Sequence, residues 1–285
     1  MSLTIRWTIG DVSPSGFEAL ALSIIGARAV FGPLIRYVVC VNTIDLKSAR
    51  ARVGPVADCV EWHDSTSAIP KWMVRYLDDG MAEGVAWKFA ALRLRCDTHV
   101  LSLDNDVILW RLPASVRQWL NDGDSLLIAE DVWACHGQFA RMCPDEPRNS
   151  GIVGIPAHFE MQTKLRRLLD QAGVCLSSET DEQGLQVALV TAEKHRVVSV
   201  NEVSICGYYR PHRLELGSCG AHFVGVNGKD RRFAHGFWDS KRAEVEERLA
   251  RNGCLVSRRC TDALSVAPKL LRKQRYGSET EQSGL

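Results

Sequence analysis

The chain has 285 residues, with 35 Lys and Arg against 34 Asp and Glu, 46% hydrophobic residues and 24% charged ones. This is the composition of an ordinary globular protein, so disordered and fibrous classes are excluded. The formal net charge of +1 provides no strongly basic surface, and a nucleic acid is therefore not the expected partner.

Ten cysteines are spread from Cys40 to Cys260 without a CxxC pair, which indicates free thiols in a reducing compartment. The longest early apolar stretch, residues 19–27, is much shorter than the about 20 residues of a membrane span. The first residues also lack the basic and then apolar pattern of a signal peptide. We therefore expect a cytoplasmic protein with no transmembrane segment.

The first part of the chain alternates predicted strands and helices. Strands are predicted at residues 4–9, 36–41, 59–62 and 100–103, and helices at residues 17–29 and 86–95. This alternation predicts an α/β fold whose largely parallel sheet is covered by helices on both faces. In such sheets the ligand binds beyond the carboxyl ends of the strands.

The second part of the chain is less regular and predicts an α+β half. Helices are predicted at residues 113–121, 160–172 and 241–251, and strands at residues 126–129 and 150–155. The absence of an internal repeat or linker favours a single domain over residues 1–267, with halves at 1–110 and 111–240.

A polar tail, residues 268–285, follows the predicted domain. Its basic stretch, residues 269–275, is interleaved with Leu270 and Leu271. A solvated tail is the simpler interpretation. The alternative is peripheral contact with the acidic inner face of a membrane, where a lipid-linked acceptor would reside.

The triplet Asp104-Asn105-Asp106 directly follows the apolar strand at residues 100–103. If the strand geometry continues, the two carboxylates lie on the same side. Two such charges about 4 Å apart repel by about 4 kcal/mol at an effective dielectric near 20, and a divalent cation would offset this repulsion. For an isolated motif, a turn that closes the strand is the commoner explanation.

Two other segments contain residue types that suit the same chemistry. In the first, residues 222–229, His222 can ligate a metal, Gly225 allows close approach to a phosphate, and Lys229 can neutralise one. The second is the predicted helix before the triplet, which carries Lys88. Taken alone, His222 is explained equally well as a core histidine. The two lysines are explained equally well as solvated surface charges.

The order of these motifs resembles the metal-dependent nucleotide-sugar glycosyltransferases of the GT-A fold, most nearly glycosyltransferase family 8. The resemblance covers residues 5–229 and rests on an ordered set: Lys88, Asp104-Asn105-Asp106, Asn149-Ser150-Gly151, Asp181-Glu182-Gln183 and residues 222–229. Lys229 lies one residue farther from the histidine than in the family, and no Pro-Trp follows it. The acidic motif has one acid more than the family's Asp-Gln, so either Asp181 or Glu182 is the equivalent, and we prefer Asp181.

The resemblance implies a mixed sheet flanked by helices and a role for each matching residue. Manganese or magnesium would be bound by Asp104, Asp106 and His222. The donor, a UDP-sugar, would be contacted by Ile9, Gly10, Asp11, Lys88, Asn105, Gly225 and Lys229. The transferred hexose and the acceptor would face Asn149 and Asp181, which with Lys88 form the expected catalytic group. The acceptor would be a carbohydrate, a lipid-linked molecule or a protein, and the anomeric configuration would be retained.

Three alternatives follow from the same residues. Asp104-Asn105-Asp106-Val107 is similar to the nucleophile loop of haloacid-dehalogenase-type phosphatases, but those proteins place it near the start of the domain. A non-catalytic relative that binds a nucleotide sugar or nothing would be expected to lose part of the metal set. A sugar nucleotidyltransferase would need a Gly-rich loop after the first strand, where residues 10–16 contain only two glycines. We therefore expect a hexosyltransferase.

Overall fold

The structure is a computed structural model that describes residues 2–78, 88–89, 97–230 and 232–251. The strands in these ranges are β1 Leu3–Ile9, β2 Arg36–Val41, β3 Glu61–Asp64, β4 His99–Leu103, β5 Val107–Leu109, β6 Leu126–Glu130, β7 Arg148–Ile155, β8 His195–Val198, β9 Val203–Cys206 and β10 Gly220–Phe223. The α-helices are α1 Pro14–Phe31, α2 Leu46–Val53, α3 Ala114–Asp122, α4 Met161–Ala172, α5 Glu179–Thr191 and α6 Arg232–Arg251. Short 3-10 helices occupy Gly54–Cys59, Val74–Tyr76 and Gly137–Met142.

The large sheet has seven strands in the order β3-β2-β1-β4-β7-β6-β8. The first four are parallel, whereas β7 runs antiparallel to both β4 and β6. The carboxyl ends of β1, β2 and β4 therefore meet at one edge, and the start of β7 lies at the same edge. The predicted mixed sheet flanked by helices is confirmed.

Both faces of this sheet are buried, because side chains on alternate positions pack into two different cores. One core joins Ile5 and Trp7 of β1 to the apolar residues of α1 and of the small sheet. The other joins Ile128 of β6 and Val153 of β7 to α4 and α5. Such two-sided burial explains why the central strands read as nearly continuous apolar runs.

Helix α1 lies between the large sheet and a smaller one. Its N-terminus is capped by Ser13, whose hydroxyl accepts a hydrogen bond from Gly16 N. In the described part of the chain it is the one helix long and apolar enough to cross a membrane, yet 56% of that segment is buried inside the protein. Gly26 permits the tight packing, since a Cβ there would lie 2.1 Å from the carbonyl oxygen of Leu109. The helix therefore serves as a core helix of this fold.

The small sheet has three strands in the order β5-β10-β9. Strand β5 follows the acidic triplet directly and pairs antiparallel with β10, so that His222 lies opposite Val107. Phe223 N also donates a hydrogen bond to Asp106 O at 3.0 Å. This register brings His222 beside Asp106 across a long separation in sequence.

The predicted strands at residues 4–9, 36–41, 100–103, 126–129 and 150–155 are present with small changes at their ends. The strand predicted at 59–62 begins only at Glu61, after a 3-10 helix, and the helix predicted at 241–251 already begins at Arg232. Helices α2 and α5 and strands β5, β8, β9 and β10 were not predicted. Most of the helix predicted at 86–95, the domain end at residue 267 and the tail 268–285 lie outside the described residues.

Candidate functional site

A pocket opens at the edge where β1 and β4 end and β7 begins. Most of the residues expected to form a site line it, namely Ile9, Gly10, Lys88, Asp104, Asn105, Asp106, Asn149, His222 and Gly225. Asp11, Asp181 and Lys229 are not among its lining residues. The pocket is also lined by Glu182 and Gln183 of the acidic motif, and by Thr8, Glu179 and Asn227, which received no role from the sequence.

The acidic triplet forms a turn. Val107 N donates to Asp104 O at 3.0 Å, so the strand geometry does not continue through residues 104–106, and the turn that closes the strand is present. The carboxylates nevertheless converge, because one ligand atom from each of Asp104, Asp106 and His222 lies within 4.8 Å of the others. His222 Nε2 is 3.2 Å from Asp106 Oδ1 and 3.9 Å from Asp104 Oδ2.

These three side chains suit a divalent cation. Asp106 is buried, and its Oδ1 makes no hydrogen bond in the described structure despite its proximity to His222. A buried carboxylate oxygen without a hydrogen bond is costly, and a bound cation would remove that cost. Two carboxylates and one imidazole form a donor set compatible with Mn²⁺ or Mg²⁺.

The carboxylates around His222 also change the pKa of its imidazole. Burial lowers the pKa of His222, but the carboxylates of Asp106 and Asp104 outweigh burial, so the pKa is raised above its ordinary value. The two acids therefore favour the protonated form of His222.

Lys88 connects the acidic triplet with α5. Its Nζ lies 2.8 Å from Asp104 Oδ1 and 3.2 Å from Glu182 Oε2. Burial lowers the pKa of Lys88, but these two carboxylates outweigh burial and raise it. Burial raises the pKa of Glu182, and the charge of Lys88 only partly opposes this effect. The lysine thus holds a candidate metal ligand and a buried acid together at the pocket wall.

The two neighbouring acids of α5 occupy different surroundings. Asp181 Oδ1 accepts a hydrogen bond from Gln138 N at 2.8 Å, and its Oδ2 accepts one from Ser177 N at 2.9 Å. Burial raises the pKa of Asp181, but these donors outweigh burial and lower it. The next residue, Glu182, points to the pocket and to Lys88. The carboxylate of Asp181 therefore anchors the start of α5, and that of Glu182 faces the pocket.

The start of β7 forms the opposite wall. Asn149 Oδ1 accepts a hydrogen bond from Gly151 N at 2.7 Å, and its Nδ2 donates to Asp131 Oδ2 at 2.9 Å. The side-chain amide of Asn149 is thus fixed at the pocket by two partners.

The segment 224–229 lines one side of the pocket and is hydrogen-bonded to the rest of the site. Asn227 Nδ2 donates to Asp106 Oδ2 at 3.3 Å and to Asn105 Oδ1 at 3.1 Å, and Asn105 Nδ2 donates back to Asn227 Oδ1 at 2.6 Å. Ser13 fixes the same segment to the loop after β1, since its hydroxyl donates to Val226 O at 2.6 Å. Asn227 therefore supports the acidic triplet directly.

Lys229 and Asp11 form an ion pair at the rim, with Nζ 2.7 Å from Oδ2. Asp11 Oδ1 also accepts a hydrogen bond from Arg52 Nη1 at 2.7 Å. These two cations lower the pKa of Asp11, with the hydrogen bond from Lys229 as the largest cause. The two predicted donor-binding residues are thus paired with each other at the edge of the pocket.

No protein-family model and no curated protein matches this chain. Among solved structures, an active-site mutant of LgtC matches with a TM-score of 0.51 and 14% identity, over 84% of this chain and 95% of LgtC. Mouse xyloside xylosyltransferase 1 in its apo form matches with a TM-score of 0.51 and 14% identity, over 79% of this chain and 98% of that protein. The chain has the GT-A glycosyltransferase fold.

Within the GT-A fold of this chain, the acidic triplet lies where the fourth strand of the large sheet ends and the small sheet begins. The phosphatase alternative required that the triplet stand near the start of the domain, and it does not fit this position. At this edge the pocket combines a candidate cation site, the partly buried Lys88 and the buried Glu182. Such a group can stabilise negative charge that develops on a leaving phosphate.

Proposed function

We propose that this protein is a metal-dependent glycosyltransferase that transfers a hexose from a nucleoside-diphosphate sugar, with uridine as the nucleoside and with retention of the anomeric configuration. The convergence of Asp104, Asp106 and His222 within 4.8 Å, at the ligand-binding edge of the sheet, is the observation that carries the proposal. The GT-A fold supports it, since the two solved structures with TM-scores of 0.51 are LgtC and a xylosyltransferase.

On this proposal, Asp104, Asp106 and His222 hold Mn²⁺ or Mg²⁺, which supplies the positive charge that stabilises the leaving diphosphate. Gly225 and Lys229 contact that diphosphate, and Lys229 does so after it leaves Asp11. The end of β1, residues 9–11, borders the base.

The transferred sugar lies between Lys88 and α5. We assign the acid that faces it to Glu182, because Glu182 lines the pocket, whereas Asp181 does not and accepts its hydrogen bonds from Gln138 and Ser177. Lys88 keeps the carboxylate of Glu182 beside that of Asp104. Asn149, held by Asp131, orients the hydroxyl groups of the sugar from the other wall.

The acceptor is a carbohydrate or a glycan carried by a lipid or a protein. Asn149, Ser150 and Glu179 line the same pocket and offer polar groups for its hydroxyls. Six cysteines in the described ranges are free thiols, namely Cys40, Cys135, Cys143, Cys175, Cys206 and Cys219, which agrees with a reaction in the reducing cytoplasm.

The test is hydrolysis and transfer with a panel of UDP-, GDP- and ADP-hexoses in the presence of Mn²⁺ or EDTA. We expect metal-dependent release of UDP, and its loss in Asp106→Asn and His222→Ala proteins that remain folded by circular dichroism. Full activity of both variants would contradict the proposal.

Calorimetry separates an enzyme from a non-catalytic binder of the same fold. Metal-dependent binding of UDP without turnover of any donor would assign a binding role. No binding of UDP with or without Mn²⁺ would remove the transferase proposal altogether.

A further inference from the structure

Arg6 occupies the middle of β1 and is completely buried. It lies on the face of the sheet that is turned toward Lys88. Its Nη1 donates to the backbone oxygen of Lys88 at 3.1 Å, and its Nη2 donates to Ser102 Oγ at 2.5 Å. Ser102 pairs with Arg6 in the strand register and stands two residues before Asp104. The guanidinium therefore connects the two segments that deliver Lys88 and Asp104.

The cost of placing a guanidinium here is substantial. Removal of an ion from water costs several kcal/mol in real proteins, and Arg6 Nε has no hydrogen-bond partner among the described residues. Burial accordingly lowers the pKa of Arg6, whereas the carboxylates of Asp104 and Glu182 oppose that change. An apolar side chain would fill the same space in a strand at less cost, so the charge itself calls for an explanation.

The charge of Arg6 acts on the pocket without contact. The described site contains the carboxylates of Asp104, Asp106 and Glu182. The positive charges of Lys88 and Arg6 lie near them and partly balance their negative charge. Arg6 is not a lining residue, so it cannot bind a ligand itself. Its field nevertheless reaches the carboxylates of Asp104 and Glu182, and it reaches ligands placed beside them.

A fixed positive charge has opposite effects on the two ligands of the proposed reaction. It weakens the binding of a bare divalent cation and strengthens the binding of an anionic diphosphate. We propose that Arg6 is a positioning residue that holds the Lys88 segment by its hydrogen bond to the Lys88 carbonyl oxygen and lowers the affinity of the site for a divalent cation alone. The metal is then retained together with the nucleotide. This inference rests on the proposed function, since it takes a divalent cation and a nucleoside diphosphate as the ligands.

The experiment compares Arg6→Met and Arg6→Gln, which remove the charge, with Arg6→Lys, which keeps it. Calorimetry measures binding of Mn²⁺ alone, and binding of UDP alone in EDTA. We expect the two neutral variants to bind Mn²⁺ about tenfold more tightly and UDP about tenfold more weakly, and Arg6→Lys to stay within about threefold of the wild type for both ligands.

The opposite signs distinguish this role from a merely structural one. If Arg6 only supports the fold, its removal leaves Asp104 and Lys88 less well positioned, and the affinities for Mn²⁺ and UDP fall together. That result would overturn the inference. Unchanged affinities for both ligands would also overturn it. The use of two neutral variants of different shape keeps the test valid if one of them fails to fold. If the wild-type protein binds UDP neither with nor without Mn²⁺, the proposed function itself fails, and this result is separate from any effect at Arg6.

Discussion

Gly151 leaves the space that the His222 imidazole occupies. A Cβ on Gly151 would lie 2.6 Å from His222 Cε1 and 2.8 Å from Nδ1. The two residues belong to different sheets, since Gly151 is in β7 of the large sheet and His222 is in β10 of the small one. The position of the imidazole therefore depends on the absence of a side chain across from it.

Gly151→Ala should displace His222 from Asp104 and Asp106. We expect a loss of about 1–3 kcal/mol in the free energy of unfolding from overpacking, and a fall of about tenfold or more in the affinity for Mn²⁺. Gly154→Ala is the matched control in the same strand, because its Cβ would meet Leu127 and Trp119 at 2.7 Å, away from the ligands. Denaturant unfolding and Mn²⁺ calorimetry on both variants check this, and equal metal affinities would refute the role of Gly151.

Asn227 should support the metal site although it is not itself a proposed ligand. Asn227→Ala removes the hydrogen bonds to Asp106 and Asn105, and loss of such an outer partner typically weakens metal binding by about 10- to 100-fold. We expect the lower end of that range in a Mn²⁺ titration. Asn201→Ala, in the exposed turn before β9, should leave the affinity unchanged. A wild-type affinity in Asn227→Ala would show that the triplet holds its geometry without this residue.

The adjacent acids Asp181 and Glu182 should respond differently to loss of charge. Asp181→Asn is expected to lower the free energy of unfolding by about 1–3 kcal/mol, because the backbone N–H groups of Gln138 and Ser177 lose a charged acceptor. Glu182→Gln is expected to reduce turnover of the donor by about tenfold or more with a smaller effect on stability. Urea unfolding and donor turnover of both variants provide the test, and the reverse pattern would restore Asp181 as the acid that faces the sugar.

The stability contributed by Asp181 should also depend on pH. The pKa of Asp181 is lowered in the folded protein, so its contribution is fully present above the unfolded pKa of about 3.9 and is lost as the pH falls toward the folded pKa. The difference in unfolding free energy between wild type and Asp181→Asn should therefore be constant from about pH 7 to about pH 5 and shrink below about pH 4. Urea titrations across this range measure it. A difference that grows toward low pH would contradict the lowered pKa.

The Asp11–Lys229 ion pair should matter for ligand binding more than for stability. Both side chains are partly exposed, so a double-mutant cycle with Asp11→Asn and Lys229→Met should give a coupling below about 1 kcal/mol in unfolding. Lys229→Met should nevertheless weaken UDP binding about three- to tenfold, and the effect should diminish at high salt. The Asp124–Lys194 pair has an N to O distance of 2.8 Å and serves as the control, since its residues precede β6 and β8 at the edge of the large sheet opposite the pocket. An unchanged UDP affinity in Lys229→Met would leave Lys229 without a role in the donor site.

The sequence was sufficient to predict the three candidate ligands and the sheet edge at which they meet. Asp104 and Asp106 follow a clear apolar strand, and the ordered likeness to a known family connected them to His222 across 116 residues. The convergence itself depends on the pairing of β5 with β10, and both strands are too short to be recognised from their residues alone.

The choice between Asp181 and Glu182 could not be made from the sequence. Successive residues of a helix point about 100° apart, so the helix phase decides which acid faces the pocket. The start of α5 does carry a signal, since Ser178 caps the helix by accepting a hydrogen bond from Asp181 N. Arg6 was missed for another reason. Its alternation with Ile5 and Trp7 is typical of a strand with one solvated face, whereas this face is covered by the segment of Lys88.

Strand β7 has a mechanical consequence for turnover. It is hydrogen-bonded to β4 on one side and to β6 on the other, and it carries Asn149 to the edge where Asp104 lies. Separation of the two walls of the cleft by a hinge would break a continuous ladder in the centre of the sheet, which is far costlier than release of a surface loop. The walls at Asp104 and Asn149 therefore keep a constant spacing, and the proposed transfer would take place in a cleft of fixed width.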